Sequence, residues 1–178
     1  MTDSRSILSI HTSWGVIYVA LSGGKVAACD LPVVHHRATT KPLSVIKIDT
    51  SLVARADSKA AAAAGAYVVA VLDGKTAKAP PVMMPDGTLL QQSVWSELRM
   101  IKRGQVITYG ELAKRVGSPR AARAVGQACG ANPIPLFIPC HRVLAASGGI
   151  GGFSGGLAWK EWLLDHEALP VPVAGRKS

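Results

Sequence analysis

Cysteine is scarce in this chain, and its spacing does not suit the frameworks that cysteine most often builds. There are three cysteines, Cys29, Cys129 and Cys140, with no CxxC pair. An odd, widely spread set argues against a disulfide scaffold, and the histidines do not pair with the cysteines at zinc-finger spacing. His35 and His36 lie near Cys29, so an N-terminal metal site is one interpretation and an exposed loop pair is the favoured one. We therefore expect neither a metal nor a cofactor.

Long apolar runs are also missing. No segment approaches the roughly 20 consecutive apolar residues that a membrane-spanning helix needs. The first residues, Asp3 among them, are polar and do not form the apolar run of a secretory signal. We expect no membrane partner and a reducing, cytoplasmic setting, or the nucleus if the source is eukaryotic.

Acidic residues are few. The chain has 11 aspartates and glutamates against 20 lysines and arginines, which gives a net charge of +9. A basic excess favours a polyanionic partner such as nucleic acid, although it says nothing about the fold. With 178 residues, of which 48% are hydrophobic, the chain is long and apolar enough to fold as one or two small domains.

The N-terminal half, residues 1–79, predicts a small antiparallel-sheet domain with one helix. Three short strands joined by tight turns are predicted over residues 7–11, 15–21 and 25–31. Residues 32–50 are predicted to be irregular. The alanine-rich segment 57–72 predicts a helix, because alanine has the highest helix propensity. Prolines in 80–87 predict a linker.

The C-terminal half predicts a mainly helical domain over residues 88–170, followed by a tail, 171–178. Apolar residues recur at helical spacing from Thr88, and this pattern ends at Gly104. A last helix is predicted over 159–165. The two halves together predict an α/β protein of the α+β kind.

A helix-turn-helix is predicted within the C-terminal half. Its first helix covers residues 110–116. Ser118 is the predicted N-cap of the second helix and Pro119 its first residue, and the helix runs to about Cys129. Most side chains of this second helix are very small. That composition suits either tight packing against another helix or close approach to a nucleic-acid backbone, with Arg123 projecting from the helix.

The strongest chemical signal is a cysteine directly followed by a histidine, Cys140 and His141. The thiolate is the nucleophilic form of cysteine, and a neighbouring imidazole makes it available near neutral pH. On the dipeptide alone, a buried structural cysteine is the favoured interpretation. The surrounding motifs reverse that preference.

Several motifs in one order carry a family resemblance. They are Tyr109-Gly110-Glu111-Leu112-Ala113, Ala121-Ala122-Arg123-Ala124-Val125-Gly126, Asn132-Pro133, Pro139-Cys140-His141-Arg142-Val143, Ser154-Gly155-Gly156-Leu157, and Lys160-Glu161-Trp162-Leu163-Leu164 with Glu167. Together they resemble the O6-alkylguanine-DNA alkyltransferases, also called methylated-DNA–protein-cysteine methyltransferases. The close resemblance covers roughly residues 88–169, and a weaker one covers the N-terminal half. It implies a ribonuclease H-like N-terminal domain and a C-terminal domain that binds DNA and accepts an alkyl group.

The resemblance implies a set of catalytic residues. Cys140 is the alkyl acceptor, His141 accepts its proton through a water, and Glu167 orients and charges the imidazole. Asn132 corresponds to the family's hinge asparagine. Tyr109 corresponds to the tyrosine that hydrogen-bonds the guanine ring and helps the leaving group accept a proton. Without the resemblance, Glu167 is an exposed helical acid and Asn132 an ordinary turn residue.

The resemblance also implies residues that hold DNA and the extruded base. Arg123 enters the stack where the flipped base was, with a plain phosphate contact as the alternative, and Ala122 beside it suits the narrow minor groove. The substrate-side residues are Ser154 facing O6, Gly155 next to it, Phe153 as a wall, and Val143 with Cys140 as backbone carbonyls that read the guanine amino group. Many relatives carry tyrosine at the position of Phe153, so any role for that hydroxyl is lost here.

The function expected from the resemblance is DNA repair by direct reversal. A monomer, able to act cooperatively on DNA, would bind double-stranded DNA containing O6-alkylguanine and transfer the alkyl group irreversibly to Cys140 in a single turnover. O4-alkylthymine is a second candidate substrate. Three alternatives are a non-catalytic alkylated-DNA-binding protein, a helix-turn-helix regulator and a thiol hydrolase. The first of these classes lacks the acceptor, so Cys140 argues against it.

Overall fold

The computed structural model of the protein describes residues 6–34 and 43–167. Backbone contacts divide them into two compact units. The first comprises the residues up to Pro85 together with 133–137, and the second comprises 86–132 and the residues from Ile138 onward. Each unit has its own buried core.

The first unit is built on a four-stranded antiparallel sheet. Its strands are β1 (Ser6–Thr12), β2 (Gly15–Ser22), β3 (Lys25–Asp30) and β4 (Val45–Leu52), in the order β3-β2-β1-β4. Burial alternates along β1, so that Leu8 and Ile10 join Ile17 and Val19 of β2 in the core. The three predicted strands of the meander are confirmed.

Strand β4 corrects the prediction that residues 32–50 are irregular. The strand pairs antiparallel with β1 at the edge of the sheet. Its apolar side chains Ile46, Ile48 and Leu52 are exposed, so backbone pairing rather than burial holds it. Ile46 and Ile48 alternate with the charged Lys47 and Asp49, which is a short strand pattern that the prediction overlooked beside the prolines and scattered charge of this segment.

The helix α1 (Ser58–Leu72) confirms the prediction from the alanine-rich segment. Its buried side chains, among them Ala64 and Val68, complete the core of the first unit. A 3₁₀ turn precedes it and ends at Asp57, a buried carboxylate. Asp57 accepts hydrogen bonds from the Ser6 hydroxyl at 2.6 Å and from the Gly24 amide at 2.9 Å.

The proline-rich segment expected to be a linker, 80–87, carries sheet-like pairing. The Val26 amide donates to the Pro81 carbonyl at 3.0 Å, and the Met83 amide donates to the Val26 carbonyl at 2.7 Å. Val26 and Val82 thereby form an isolated parallel bridge beside β3. This part of the segment extends the first unit.

The second unit is mainly helical. Its elements are α2 (Leu89–Leu98), β5 (Ile107–Thr108), α3 (Tyr109–Arg115), α4 (Ala122–Gly130), β6 (Val143–Leu144) and α5 (Leu157–His166), with β5 and β6 paired in parallel. Thr88 and Thr108 begin α2 and α3 with capping boxes, completed by Gln91 and Glu111. The Trp95 indole donates to the Ala128 carbonyl at 2.9 Å and links α2 to α4.

Three helix boundaries differ from the prediction. The first C-terminal helix ends at Leu98 rather than near Gly104, because turns replace the helical pattern beyond it. The predicted helix-turn-helix is present as α3 and α4, but Ser118 is not its N-cap. The Ser118 carbonyl accepts from the Ala121 amide in a separate turn, and α4 starts after that turn without a side-chain cap. Helix α5 begins two residues before the predicted 159–165 segment.

Within the described part of the chain, no helix combines the length and the apolar character that crossing a bilayer requires.

Candidate active site

Three segments of the second unit bring the predicted chemical groups together. A 3₁₀ turn, Cys140–Arg142, carries the cysteine and the histidine. Asn132 follows the end of α4, and Glu167 is the C-cap residue of α5. All of these side chains except Arg142 are buried. Glu167 was expected to be exposed on sequence alone; it is 5% exposed.

Asn132 connects the segment after α4 to the thiol. Its side-chain amide donates to the Ile138 carbonyl at 2.8 Å and to the Cys140 sulfur at 3.2 Å. Burial raises the pKa of the Cys140 thiol, while the Asn132 amide and the Lys160 ammonium act in the opposite direction. The surroundings therefore keep the thiol protonated at rest and offer groups that stabilise the thiolate once it forms.

His141 and Glu167 form a buried pair. His141 Nε2 lies 3.0 Å from Glu167 Oε1. An ionised carboxylate can only accept, so Nε2 carries the proton and Nδ1 is the basic nitrogen. Nδ1 is buried and has no hydrogen-bond partner among the described residues. The histidine thus presents an unprotonated nitrogen within the same 3₁₀ turn as Cys140.

Arg142 is a third member of this cluster, and the sequence prediction missed it. Arg142 Nε and Nη2 donate to the Glu167 carboxylate at 2.9 and 2.7 Å, and Nη1 donates to the Ile101 carbonyl at 2.7 Å. Although burial raises the pKa of Glu167, the hydrogen bonds from His141 and Arg142 bring it down to about 2. Burial lowers the pKa of His141, and the Glu167 carboxylate opposes that change.

Lys160 was also missed. Its side chain is completely buried on α5, and its ammonium donates to the Val143 carbonyl at 2.7 Å and the Gly152 carbonyl at 3.2 Å. The ammonium lies 5.8 Å from the centre of the Tyr109 ring. Burial lowers the pKa of Lys160 to about 8. The sequence did contain a signal for Lys160. The lysine directly follows Trp159 and precedes Leu164 by four residues, so it falls on the apolar face of the helix.

Tyr109 opens α3 and is held against a glycine-rich loop. Burial raises the pKa of its hydroxyl, and the Gly152 backbone hydrogen-bonds to it. A Cβ at Gly151 would lie 2.8 Å from the Tyr109 hydroxyl oxygen, and Gly151 has a φ of +73°. Any side chain at Gly151 would therefore collide with the tyrosine and strain the backbone.

An open cavity of about 490 Å³ adjoins Tyr109. Its lining residues are Tyr109, Arg123, Gly126, Gln127, Gly130, Gly152, Phe153 and Ser154. The structure thus brings Arg123, Phe153 and Ser154 together with Tyr109 around one cavity. Ala122, Val143 and Gly155 do not line the cavity. The two carbonyls expected to read guanine already have protein donors: Val143 binds Lys160, and Cys140 accepts from the Val143 amide.

Residues 6–34 and 43–167 contain no group of three or more potential metal ligands. His35 and His36, on which one interpretation placed a metal site, lie outside the described residues, as does the tail 171–178. Cys29 and Cys129 are buried, and burial raises the pKa of each thiol, to about 12 for Cys129. Neither thiol has the histidine neighbour that Cys140 has.

Comparison of the sequence with known proteins identifies relatives of the C-terminal part of the chain. The model of the 6-O-methylguanine DNA methyltransferase DNA-binding domain matches residues 89–169. The methylated-DNA–protein-cysteine methyltransferase of Homo sapiens is 56% identical over 90 residues, 49% of this chain and 44% of that protein. The Haemophilus influenzae protein of the same name is 50% identical over 96 residues, 54% of each chain. The chain spans about half the length of the curated relatives it matches.

Solved structures extend the similarity to most of the chain. Mycobacterium tuberculosis OGT in complex with DNA superposes with a TM-score of 0.72 at 32% identity, covering 89% of this chain and 90% of that one. The O6-methylguanine methyltransferase of the same organism gives 0.70 at 31% identity, covering 94% of each. At this identity and coverage, the chain belongs to the methylated-DNA–protein-cysteine methyltransferase family. The predicted α+β fold class is confirmed.

Proposed function

We propose that this protein repairs O6-alkylguanine in double-stranded DNA by a single, irreversible transfer of the alkyl group to Cys140. The observation that supports this most is the buried cluster of Cys140, Asn132, His141 and Glu167. In this cluster the Asn132 side-chain amide donates to the Cys140 sulfur. The His141 imidazole, in the same turn as Cys140, is oriented by the Glu167 carboxylate, and its Nδ1 has no hydrogen-bond partner among the described residues. The names of the relatives describe the same chemistry.

The transfer begins with proton removal from the thiol. A water between Cys140 and His141 carries the proton to Nδ1, and Glu167 stabilises the imidazolium through Nε2. The thiolate attacks the alkyl carbon in line with the bond to O6. The S–C bond forms as the C–O6 bond breaks, and the electron pair stays on the guanine. Tyr109 donates a hydrogen bond to the departing ring and helps it accept a proton.

The cavity beside Tyr109 is the proposed pocket for the extruded base. Phe153 walls it, and exposed Ser154, next to Gly155, faces O6. The carbonyls of Val143 and Cys140 each have a protein donor, but a carbonyl oxygen has two lone pairs, so both can still accept from the guanine amino group. O4-alkylthymine is a second candidate substrate for the same pocket.

Helix α4 is the proposed minor-groove helix. Arg123 is exposed and lines the cavity, while its neighbour Ala122 is small. Arg123 would fill the stack after the base leaves it. We expect Arg123→Ala to slow transfer from a saturating duplex by about 10-fold or more, since flipping costs a few kcal/mol. Transfer from free O6-benzylguanine, which needs no flipping, should not change.

The matched control is Arg120→Ala, because Arg120 is exposed in the turn before α4 and does not line the cavity. Loss of a phosphate contact should weaken affinity and reduce the salt slope by about one unit without changing the saturated rate. If Arg123→Ala behaves like this control, Arg123 contacts phosphate and is not the residue that fills the stack.

The deciding experiment is intact mass after mixing with duplex O6-methylguanine DNA. A gain of one methylene, mapped by peptide mass to Cys140 and lost in Cys140→Ser, supports the proposal. Retained alkylation in the serine variant, or transfer to Cys29 or Cys129, contradicts it. We further propose that the protein acts as a monomer, cooperatively on DNA, in the reducing cytoplasm or, in a eukaryote, the nucleus.

A further inference from the structure

We propose that Arg142 is a positioning residue that sets the protonation state of the His141–Glu167 pair. It does this by clamping the carboxylate in its ionised form while compensating its charge. This inference rests on the proposed function, since the pair matters only if His141 takes the thiol proton. Arg142 touches neither the cysteine nor the cavity; it acts through Glu167.

The geometry of the clamp is specific to a guanidinium. Nε and Nη2 of Arg142 reach both carboxylate oxygens of Glu167, while Nη1 holds the Ile101 carbonyl. One planar group therefore fixes the carboxylate in a forked contact and ties it to the segment after α2. A lysine could supply the positive charge, but its ammonium could not make the planar two-point contact with both carboxylate oxygens.

The carboxylate is shared between two donors of different kinds. Glu167 Oε1 accepts from both His141 Nε2, at 3.0 Å, and Arg142 Nη2, at 2.7 Å. A guanidinium cation favours an ionised carboxylate, and an ionised carboxylate, which can only accept, favours the proton on Nε2 and the lone pair on Nδ1. The clamp therefore selects the tautomer that the relay requires.

The positive charge of Arg142 also makes it harder for the His141 imidazole to take up a second proton. The charged side chains that act on His141 are Glu167 and Lys160 from α5 and Arg142 from its own turn, with the Cys140 thiol preceding it. Glu167 favours the imidazolium, whereas Arg142 and Lys160 oppose it. With Arg142 in place the histidine stays neutral at rest, ready to accept the thiol proton. Without it, an uncompensated carboxylate would draw a proton from solvent onto Nδ1.

The test is the pH dependence of transfer from free O6-benzylguanine to Cys140, which removes DNA binding from the measurement. We expect Arg142→Gln to move the acid limb of the rate profile upward by about one pH unit or more, because a nearby cation is removed. Arg142→Lys should move it less. Arg103→Gln is the matched control: Arg103 is a neighbouring arginine that donates to the His166 carbonyl rather than to Glu167, and its substitution should leave the limb in place.

A purely structural role for Arg142 predicts a different result. The melting temperature of Arg142→Gln would fall while the acid limb stayed where it is in the wild type, and that outcome overturns the inference. If Arg142→Gln does not fold, the ¹⁵N NMR titration of His141 in wild type and Arg142→Lys decides. We expect a higher imidazole pKa in Arg142→Lys than in wild type, and an unchanged titration, or a neutral wild-type ring with its proton on Nδ1, overturns the proposal.

The proposed function and the role of Arg142 can fail separately. Wild-type protein that takes no alkyl group from either substrate contradicts the proposed function. The NMR titration of His141 in wild type and Arg142→Lys still measures the effect of the clamp in that case. Normal wild-type transfer with an unshifted titration contradicts only the role of Arg142.

Discussion

The two units each bury a carboxylate, and the two carboxylates are held in different ways. Asp57 of the first unit is 6% exposed and Glu167 of the second is 5% exposed. Asp57 accepts from the Ser6 hydroxyl and the Gly24 amide. Glu167 accepts from an imidazole and a guanidinium. Hydrogen bonding lowers the pKa of both groups, with the Ser6 hydroxyl the main cause at Asp57.

The two carboxylates differ in whether their hydrogen-bond donors can exchange protons near neutral pH. A hydroxyl and a backbone amide keep their protons at physiological pH, so the Asp57 contacts form a closed structural network. An imidazole titrates near neutral pH and has a second nitrogen; at His141 that nitrogen has no partner among the described residues. Burial of a carboxylate is therefore common to both units, but of these two carboxylates it is Glu167 that contacts a side chain able to pass a proton on.

The largest expected effect is a difference in alkyl-transfer rate between variants of the two carboxylates. Glu167→Gln should slow alkyl transfer by about 100-fold or more, from duplex and free base alike, because general acid–base assistance contributes about 10²- to 10⁴-fold. Asp57→Asn should lower the melting temperature without changing the rate. Single-turnover transfer to Cys140 in both variants measures this. Similar rate losses in the two variants would mean that the two carboxylates do not differ in their effect on transfer.

A second prediction concerns the loss of folding stability at acid pH. A carboxylate or imidazole whose pKa is lowered by folding binds fewer protons in the folded state than in the unfolded one, so acid favours unfolding. His141 should begin to cost stability as the pH falls below about 6.5. Glu167 should lose its contribution between 4.5 and about 2. The second loss amounts to at most about 3 kcal/mol.

Urea titrations of wild type and Glu167→Gln between pH 8 and pH 3 check this prediction. The variant should be less stable at pH 6 and should lose less stability on acidification. Asp57→Asn should flatten the same acid range, since Asp57 is also shifted downward, but should leave the loss below pH 6.5 unchanged. An acid slope in Glu167→Gln as steep as in wild type contradicts the assignment.

The smallest expected effect comes from the reaction product. An alkylated Cys140 is bulkier than the thiol and cannot ionise, and the site is only 4% exposed. Overpacking of this kind should cost about 1–3 kcal/mol and lower the melting temperature by about 2–12 °C. Asp57→Asn should show the same decrease on alkylation, because its network shares no residue with the site. Scanning calorimetry before and after reaction is sufficient, and an unchanged or raised melting temperature would speak against strain at the site.

Local chemistry made much of the fold predictable. The alanine-rich segment predicted the bounds of α1 to within one residue, and the glycine-containing turns predicted the antiparallel meander of β1, β2 and β3. Strand β4 carried a weaker signal, because only Ile46 and Ile48 alternate with charged residues there, and both side chains are exposed in the structure. The start of α4 was misplaced because Ser118 caps nothing; its carbonyl closes a turn instead.

The site was predictable only where neighbours in sequence, or a family motif, pointed to it. Cys140 and His141 are adjacent, so their chemistry could be suggested from the chain alone. The role of Arg142 depends on a carboxylate 25 residues away, and that of Lys160 on a carbonyl 17 residues away. Such partners meet only in the folded unit, and a single sequence carries no direct signal of them.

Burial of Cys140 also determines how long an unreacted molecule stays competent. Oxidants and soluble electrophiles consume exposed thiolates, first to sulfenic acid and then to irreversible products. Cys140 is nearly inaccessible, and its raised pKa keeps it a thiol at rest. For the single-turnover transfer proposed above, this arrangement would keep Cys140 chemically silent until a damaged base enters the proposed pocket.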